Sequence, residues 1–375
     1  MIDPNLFIEF LLKKEINFYS GVPDSLLKEL CFCIDKKIDS KNHKIAANEG
    51  GAIALAAGHY LSTGNTPLVY FQNSGLGNAI NPLLSLCDPS VYKIPMLILI
   101  GWRGDPRISD EPQHIKQGAI QEKLLNTLEI PYEIIDNELK NYTKISKLII
   151  KSKNEVRPVA LLVRKNTFSK FKTKKVTSNT SNSMIREKVL AEILNSEIKN
   201  EIFITTTGKT SREFYELRKK NNGVVNKDFL TIGSMGHCSQ IALGISLFNK
   251  NDVYCIDGDG SVIMHMGSLA INGTSNSKNF KHIILNNGSH ESVGGQPTVG
   301  KKINFTKIAK NCGYKKVKKI STYIELKNSI KWLKSNEGPL LLEILIKNGS
   351  RETLGRPKES PYENKIDFMK TLKNE

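Results

Sequence analysis

The sequence predicts an α/β protein of two doubly wound parallel-sheet domains, residues 1–165 and 185–375, with no middle domain between them. Three observations predict it. Apolar runs of strand length alternate with helix-period segments from end to end, which is the βαβ rhythm of a parallel sheet covered on both faces. That rhythm lapses once, over residues 166–184 (NTFSKFKTKKVTSNTSNSM), a polar stretch that reads as a linker. The 375 residues also exceed what one hydrophobic core usually organises.

In chain order, FYSGV (18–22), PLVYFQ (67–72), PMLILIG (95–101), PYEIID (131–136) and PVALLV (158–163) predict strands of the first domain. Between them DSLLKELCFCIDKK (24–37) and EGGAIALAAGHYLSTG (49–64) carry helical periodicity. Past the linker the alternation resumes with EIFITTT (201–207), DFLTIG (228–233), DVYCIDGDG (252–260), FKHIILNN (280–287) and PLLLEILIK (339–347). No short-period repeat is visible. Two like-sized α/β domains predict a site between them, at the carboxyl ends of strands.

Composition excludes several functions. The six cysteines, Cys31, Cys33, Cys87, Cys238, Cys255 and Cys312, include no CxxC pair for a redox, zinc or cluster site, and fit a reducing cytoplasm. MIDPNLFIEF lacks the basic and apolar regions of a secretory signal, and the longest apolar run, PMLILIG, is far short of the roughly 20 residues that span a bilayer, so a soluble protein without membrane contact is expected. The net charge of +17 comes from lysines spread over polar helix faces and two clusters, KFKTKK (170–175) and KKVKK (315–319), without interleaved aromatics. That pattern reads as solvated surface rather than a nucleic-acid site, with a field that steers small anions.

The chemistry gathers in the second domain. Two predicted strands end in oxygen-rich turns, Asp257-Gly258-Asp259-Gly260-Ser261 and Asn286-Asn287-Gly288-Ser289. Residues 261–285 between them hold one crossover helix (SVIMHMGSLAING) and the return strand, so a single βαβ unit brings both turns to one sheet edge. Carboxylate, amide and backbone carbonyl oxygens there suit a hard cation such as Mg²⁺ with phosphate oxygens completing its shell. The glycines admit close backbone approach, and a helix starting near Ser261 offers free N–H groups to an anion. Standing alone, GDG is a common turn in which Asp259 caps the next helix.

GDG followed by NN at this spacing resembles the cofactor motif of the thiamine diphosphate enzymes. The resemblance implies the thiamine diphosphate-binding fold, a pyrimidine-binding domain followed by a diphosphate-binding one. It implies Mg²⁺ held by Asp259, the Asn287 amide and the Ser289 carbonyl, with Gly260 and Ser261 close to the diphosphate. In Thr231-Ile232-Gly233-Ser234-Met235-Gly236-His237, Gly233 matches the glycine whose carbonyl meets the aminopyrimidine, and Met235 the residue that props the cofactor into its bent shape. Core packing also explains Met235. Gly208 and Lys209 in TTTGKTS resemble a diphosphate contact. In the first domain, AANE-x-x-A-x-x-x-A-x-G resembles the pyrimidine-binding segment, in which Glu49 would hydrogen-bond N1′ and so activate the thiazolium C2–H. The helix dipole alone also accounts for a glutamate at that position. Cofactor halves on separate domains imply, by the same resemblance, a homo-oligomer with active sites at subunit interfaces.

FYSGVPDS (18–25), YFQNSGLGN (70–78), GWRGDP (101–106), DEPQH (110–114), SVGGQPT (292–298) and LGRP (354–357) together resemble the phosphonopyruvate decarboxylase family along nearly the whole chain, and sulfopyruvate decarboxylases share much of this likeness. The implied reaction is decarboxylation of 3-phosphonopyruvate, a small anionic 2-oxo acid, to phosphonoacetaldehyde and CO₂ in phosphonate biosynthesis. Asp24, Ser25 and His114 are the first candidates around the substrate. Asp24 equally suits an N-cap of DSLLKEL and His114 an exposed loop histidine. Arg103 suits an anion clamp or a surface ion pair. His290 beside the metal turn, and Arg351 and Arg356 in the C-terminal tail, are further candidates. No His-His pair stands in the first domain, so a two-histidine relay is not expected. The alternatives are a sulfopyruvate decarboxylase, a 2-oxoacid oxidoreductase subunit, for which the chain lacks cluster-binding cysteine spacing, and a catalytically silent cofactor-binding scaffold.

Overall fold

The computed structural model describes residues 1–373 apart from 137, 139, 140, 173–183, 197–199 and 221–226. Strands β1 (Tyr19–Gly21), β2 (His43–Ile45), β3 (Leu68–Gln72), β4 (Met96–Gly101), β5 (Tyr132–Ile135) and β6 (Pro158–Val163) form one parallel sheet in the order β2-β1-β3-β4-β6-β5. Strands β7 (Ile202–Thr205), β8 (Asp228–Leu230), β9 (Val253–Gly258), β10 (Phe280–Asn286), β11 (Lys316–Ile320) and β12 (Leu340–Leu345) form the other, also parallel, in the order β11-β12-β10-β9-β7-β8. Read from its other edge, the second sheet repeats the first strand for strand. Helices cover both sheets, as α/β chemistry requires of strands such as β4 and β6, whose residues are buried throughout. The chain divides into two compact units, residues 1–176 with 293–296, and residues 177–292 with 297–375.

In each sheet the chain first steps one way, from β1 to β2 or β7 to β8, and then returns to the other side with β3 or β9. That reversal opens a crevice at the carboxyl ends of β1 and β3, and again at those of β7 and β9, where open α/β sheets take their ligands.

Every strand predicted from the sequence is present, and β2 and β11 are additions. β2 is three residues long and only partly buried, so no apolar run marks it. β11 contains the KKVKK cluster read as solvated surface. It is an edge strand whose exposed Lys316 and Lys319 leave the ladder unattractive to further strands. The single crossover helix predicted after GDG is two short helices, Asp259–Met264 and Ser268–Thr274, the first starting before Ser261. His265 leaves helical geometry and Gly267 follows, a poor helix former. The helix predicted from Asp24 starts at Lys28, with Leu27 in the cap position, so Asp24 does not cap it.

The central part of the predicted linker, residues 173–183, lies outside the described residues. Before it, Phe168 bridges to Ile2 and packs edge-on against Phe7 at 5.2 Å; after it, Met184 bridges to Ile346. All six cysteines are free thiols. Among the described residues no helix is long and apolar enough to cross a membrane.

Candidate active site

In the first unit the polar residues sit where β1 to β4 end. Asn48 ends the turn after β2 and caps helix Glu49–Thr63 by accepting from the Gly51 N–H at 2.9 Å. This fixes Glu49 as the first helical residue, 5% exposed, with Oε2 accepting from Asn78 Nδ2 at 2.8 Å. Gly75 makes room for it, since a Cβ there would stand 2.2 Å from Glu49 Oε1. The helix closes on Gly64 in the left-handed conformation, φ 74°.

Asp24 lies at the β1/β3 switch point and is completely buried. Its Oδ1 accepts from Gln72 Nε2 at 2.7 Å and its Oδ2 from the Leu26 N–H at 3.1 Å. Burial raises its carboxyl above the usual range, against the Gln72 bond and the Arg103 charge. Its Oδ2 fills the space beside Gly101, where a Cβ would approach within 1.9 Å. Arg103 is not a surface ion pair: its Nε and Nη2 grip the Asp110 carboxylate, with both side chains mostly buried, while Nη1 donates to Ser25 Oγ at 3.1 Å. Asn73 holds the Arg103 backbone from both sides, accepting its N–H and donating to its carbonyl. His114 belongs to helix Pro112–Thr127 rather than a loop and is 9% exposed. Burial, reinforced by Arg103, pushes its imidazole down to about 4, so it is neutral at physiological pH, and its Nδ1 lacks a partner among the described residues.

In the second unit four neighbouring strands, β10, β9, β7 and β8, carry the predicted turns to one edge. Ser261 Oγ ties three of them together, accepting from Thr206 Oγ1 and from the Gly236 N–H, both at 3.1 Å. The Gly233 N–H donates to Thr207 Oγ1 at 3.1 Å. Gly208 and Gly233 adopt positive φ, 98° and 70°, which turns their peptide groups as a side chain would not allow. Lys209 is half-buried and donates to Glu291 at 3.0 Å. Met235 is half-buried behind this turn.

The GDG and NN turns meet as their spacing predicts. The Asn287 N–H lies 3.4 Å from Asp259 Oδ1, and Thr298 donates to Asp259 Oδ2. Asp259 is 2% exposed, and burial pushes its carboxyl up to about 6 against those hydrogen bonds. Asn287 Oδ1 accepts from the Ser289 N–H at 2.9 Å, and the buried Ser289 Oγ has no partner among the described residues. Asn286 does a different job: its Nδ2 donates to the Gly300 carbonyl and Glu343, locking the loop back onto the sheet. A buried carboxylate with no basic side chain paired to it among the described residues, beside amide and hydroxyl oxygens, is a donor set that fits a hard divalent ion. His290 stands over Gly260, its Nδ1 3.1 Å from where a Cβ would lie, and burial pushes it down to about 4. Arg351 pairs with both Glu187 and Glu216.

Asn78, Gln72, Asp110, Thr298 and Glu291 were not named as site residues from the sequence. The first four lie within YFQNSGLGN, DEPQH and SVGGQPT, which carry the family resemblance, and Glu291 stands next to His290.

These two sites define a class. Residues 4–130 match the family "Thiamine pyrophosphate enzyme, N-terminal TPP binding domain" and residues 204–344 match "Thiamine pyrophosphate enzyme, C-terminal TPP binding domain". Across 92% of this chain, the phosphonopyruvate decarboxylase of Streptomyces viridochromogenes is 31% identical and that of Streptomyces hygroscopicus 30%, the matches covering 88% and 87% of those proteins. The sulfopyruvate decarboxylase of Methanosarcina acetivorans is 27% identical over 97% of this chain and 96% of its own length. The chain therefore belongs to the phosphonopyruvate decarboxylase family of thiamine diphosphate enzymes. It is a carboxy-lyase, a decarboxylase of the phosphonopyruvate and sulfopyruvate type.

Proposed function

We propose that the protein decarboxylates 3-phosphonopyruvate to phosphonoacetaldehyde and CO₂, using thiamine diphosphate and Mg²⁺, as a step of phosphonate biosynthesis in the cytoplasm. The observation that carries the cofactor reading is the approach of Asp259 to Asn287, 3.4 Å, at the carboxyl edge beside the β7/β9 switch point. Asp259, Asn287 Oδ1 and the Ser289 carbonyl would hold Mg²⁺. Gly208, Lys209, Gly260 and Ser261 would face the diphosphate, with Gly233 and Met235 against the aminopyrimidine.

Bound thiamine diphosphate supplies an electron sink for the bond electrons released with CO₂. Glu49 would hold a proton at pyrimidine N1′; Asn78 fixes one carboxylate oxygen and leaves the other for that task. Arg103, set by Asp110, would present its remaining edge with Ser25 to an anionic group of the substrate. Asp24 would keep the switch-point residues in place. His114 and His290, both held neutral, would orient substrate by donating hydrogen bonds from N–H.

The choice of phosphonate is supported by the two Streptomyces relatives, and sulfopyruvate is the second reading, supported by the Methanosarcina relative. Cofactor-dependent CO₂ release from phosphonopyruvate, sulfopyruvate and pyruvate in parallel tests it. Phosphonopyruvate is expected to turn over fastest; faster sulfopyruvate turnover reverses the assignment. A homo-oligomer with active sites at subunit interfaces is part of the same proposal. It is supported by the exposed apolar residues Ala54, Leu55, Gly58 and Leu61 along helix Glu49–Thr63.

A further inference from the structure

Glu291 has no assigned part in cofactor binding, yet four donors converge on its mostly buried carboxylate. Oε2 accepts from Arg186 Nη1 at 2.7 Å and from Asn287 Nδ2 at 3.0 Å. Oε1 accepts from Lys209 Nζ at 3.0 Å and from the Gly349 N–H at 3.1 Å. A carboxylate has about four lone-pair directions, so its capacity is full. Arg186 is itself fixed, because Nε and Nη2 both bond the buried Glu213 carboxylate at 2.8 Å. Arg186 and Lys209 thus set two positive charges against that one carboxylate.

The consequence falls on Asn287. A carboxylate met by four donors accepts from each of them, and a backbone N–H only donates. Glu291 therefore takes the Asn287 NH₂ group and the Ser289 N–H takes its oxygen, so the amide has one orientation. Without Glu291 the NH₂ end loses its acceptor, and the Ser289 N–H alone is left to orient the amide.

We propose that Glu291 is a positioning residue that, anchored by Arg186, locks the Asn287 amide with its oxygen toward the metal and holds Lys209 beside the same edge. The inference rests on the magnesium and thiamine diphosphate reading above. Outer partners that orient a metal ligand typically contribute about 10–100-fold to metal affinity. Removing Glu291 should therefore weaken Mg²⁺ binding far more than it lowers kcat once Mg²⁺ saturates.

The test is calorimetric titration of Mg²⁺ into the full-length protein with saturating thiamine diphosphate, beside kcat at saturating Mg²⁺. Glu291→Ala is expected to raise the Mg²⁺ Kd about 10–100-fold, and Glu291→Gln, which retains an acceptor, by less. The decisive arm is Asn287→Asp, whose carboxylate offers an oxygen whichever way it turns. Beside Glu291 it introduces like-charge repulsion and should weaken Mg²⁺ binding; in the Glu291→Ala background it should restore binding. Should Glu291→Ala fail to fold, Glu291→Gln serves as the background. A Mg²⁺ Kd within about twofold of the unsubstituted protein in both Glu291 variants, or the same Asn287→Asp effect in both backgrounds, overturns the proposal alone. If the unsubstituted protein takes up no Mg²⁺ with thiamine diphosphate, the cofactor reading falls and this proposal with it.

Discussion

At the scale of single residues, the two ionisable groups that matter most differ in how the protein holds them. Glu49 is a nearly buried carboxylate at a helix start with Asn78 on one oxygen. Glu49→Gln preserves the Asn78 contact and removes the proton-holding oxygen, so CO₂ release should fall about 10²–10⁴-fold while thiamine diphosphate still binds. Undiminished CO₂ release by that variant would rule out the role given to Glu49. His114 is held neutral by burial and Arg103, with its pKa down at about 4. Its imidazole signals in a proton NMR titration should stay unmoved from about pH 5.5 to 8 and shift only as the pH approaches 4. The sign for stability follows: between about 4 and the ordinary 6.5 the unfolded chain binds the extra proton. The stabilisation is thus whole above about 6.5 and is lost as the pH falls through about 4, which urea unfolding at several pH values will read out.

At the scale of elements, function depends on where strands stop and what the next turn leaves empty. Gly75 sits at φ −83°, a backbone any residue adopts, so its reason for being glycine is the Glu49 carboxylate against it. Gly75→Ala should therefore reduce CO₂ release by displacing Glu49 while leaving the melting temperature within a few degrees of the parent. Gly101 is the contrasting case. It ends a fully buried strand, and a Cβ would strike the Asp24 carboxylate. Gly101→Ala should destabilise the protein by about 1–3 kcal/mol through overpacking, measured by urea denaturation. The strands themselves were legible in the sequence wherever a buried run marks them, as in β4, β6 and β10. β2 and β11 were not, because their residues are mostly polar and only partly buried, whereas the other two edge strands, β5 and β8, keep an apolar run.

At the scale of the whole molecule, one topology is used twice, and each copy places its polar residues beside its own switch point. The apolar side of helix Glu49–Thr63, with Leu61 68% and Leu55 43% exposed, should be covered by another copy of the chain. Leu61→Lys is expected to reduce the mass found by light scattering and to make CO₂ release depend on protein concentration. An unchanged mass with full activity would mean that this helix is no interface.

The sequence by itself determined the fold class, the order of the strands' apolar runs and the GDG and NN turns that meet at one edge, because these follow from local periodicity and from the geometry of a single βαβ unit. Glu49, Asp259 and Asn287 were legible through the resemblance of AANE, and of GDG followed by NN, to the thiamine diphosphate enzymes, since standing alone a helix start or a common turn accounts for them. Only the tertiary structure decided that Asp24 is buried against Gln72 instead of capping a helix, that Arg103 is held by Asp110, and that Glu291 gathers Arg186, Lys209 and Asn287. Gln72, Arg186 and Lys209 lie far along the chain from the carboxylates they meet, while Asp110 and Asn287 are near their partners in loops whose shape no periodicity sets. Nothing local distinguishes a carboxylate that meets four donors from one that meets water, so their pairing waits on the packing of the sheet.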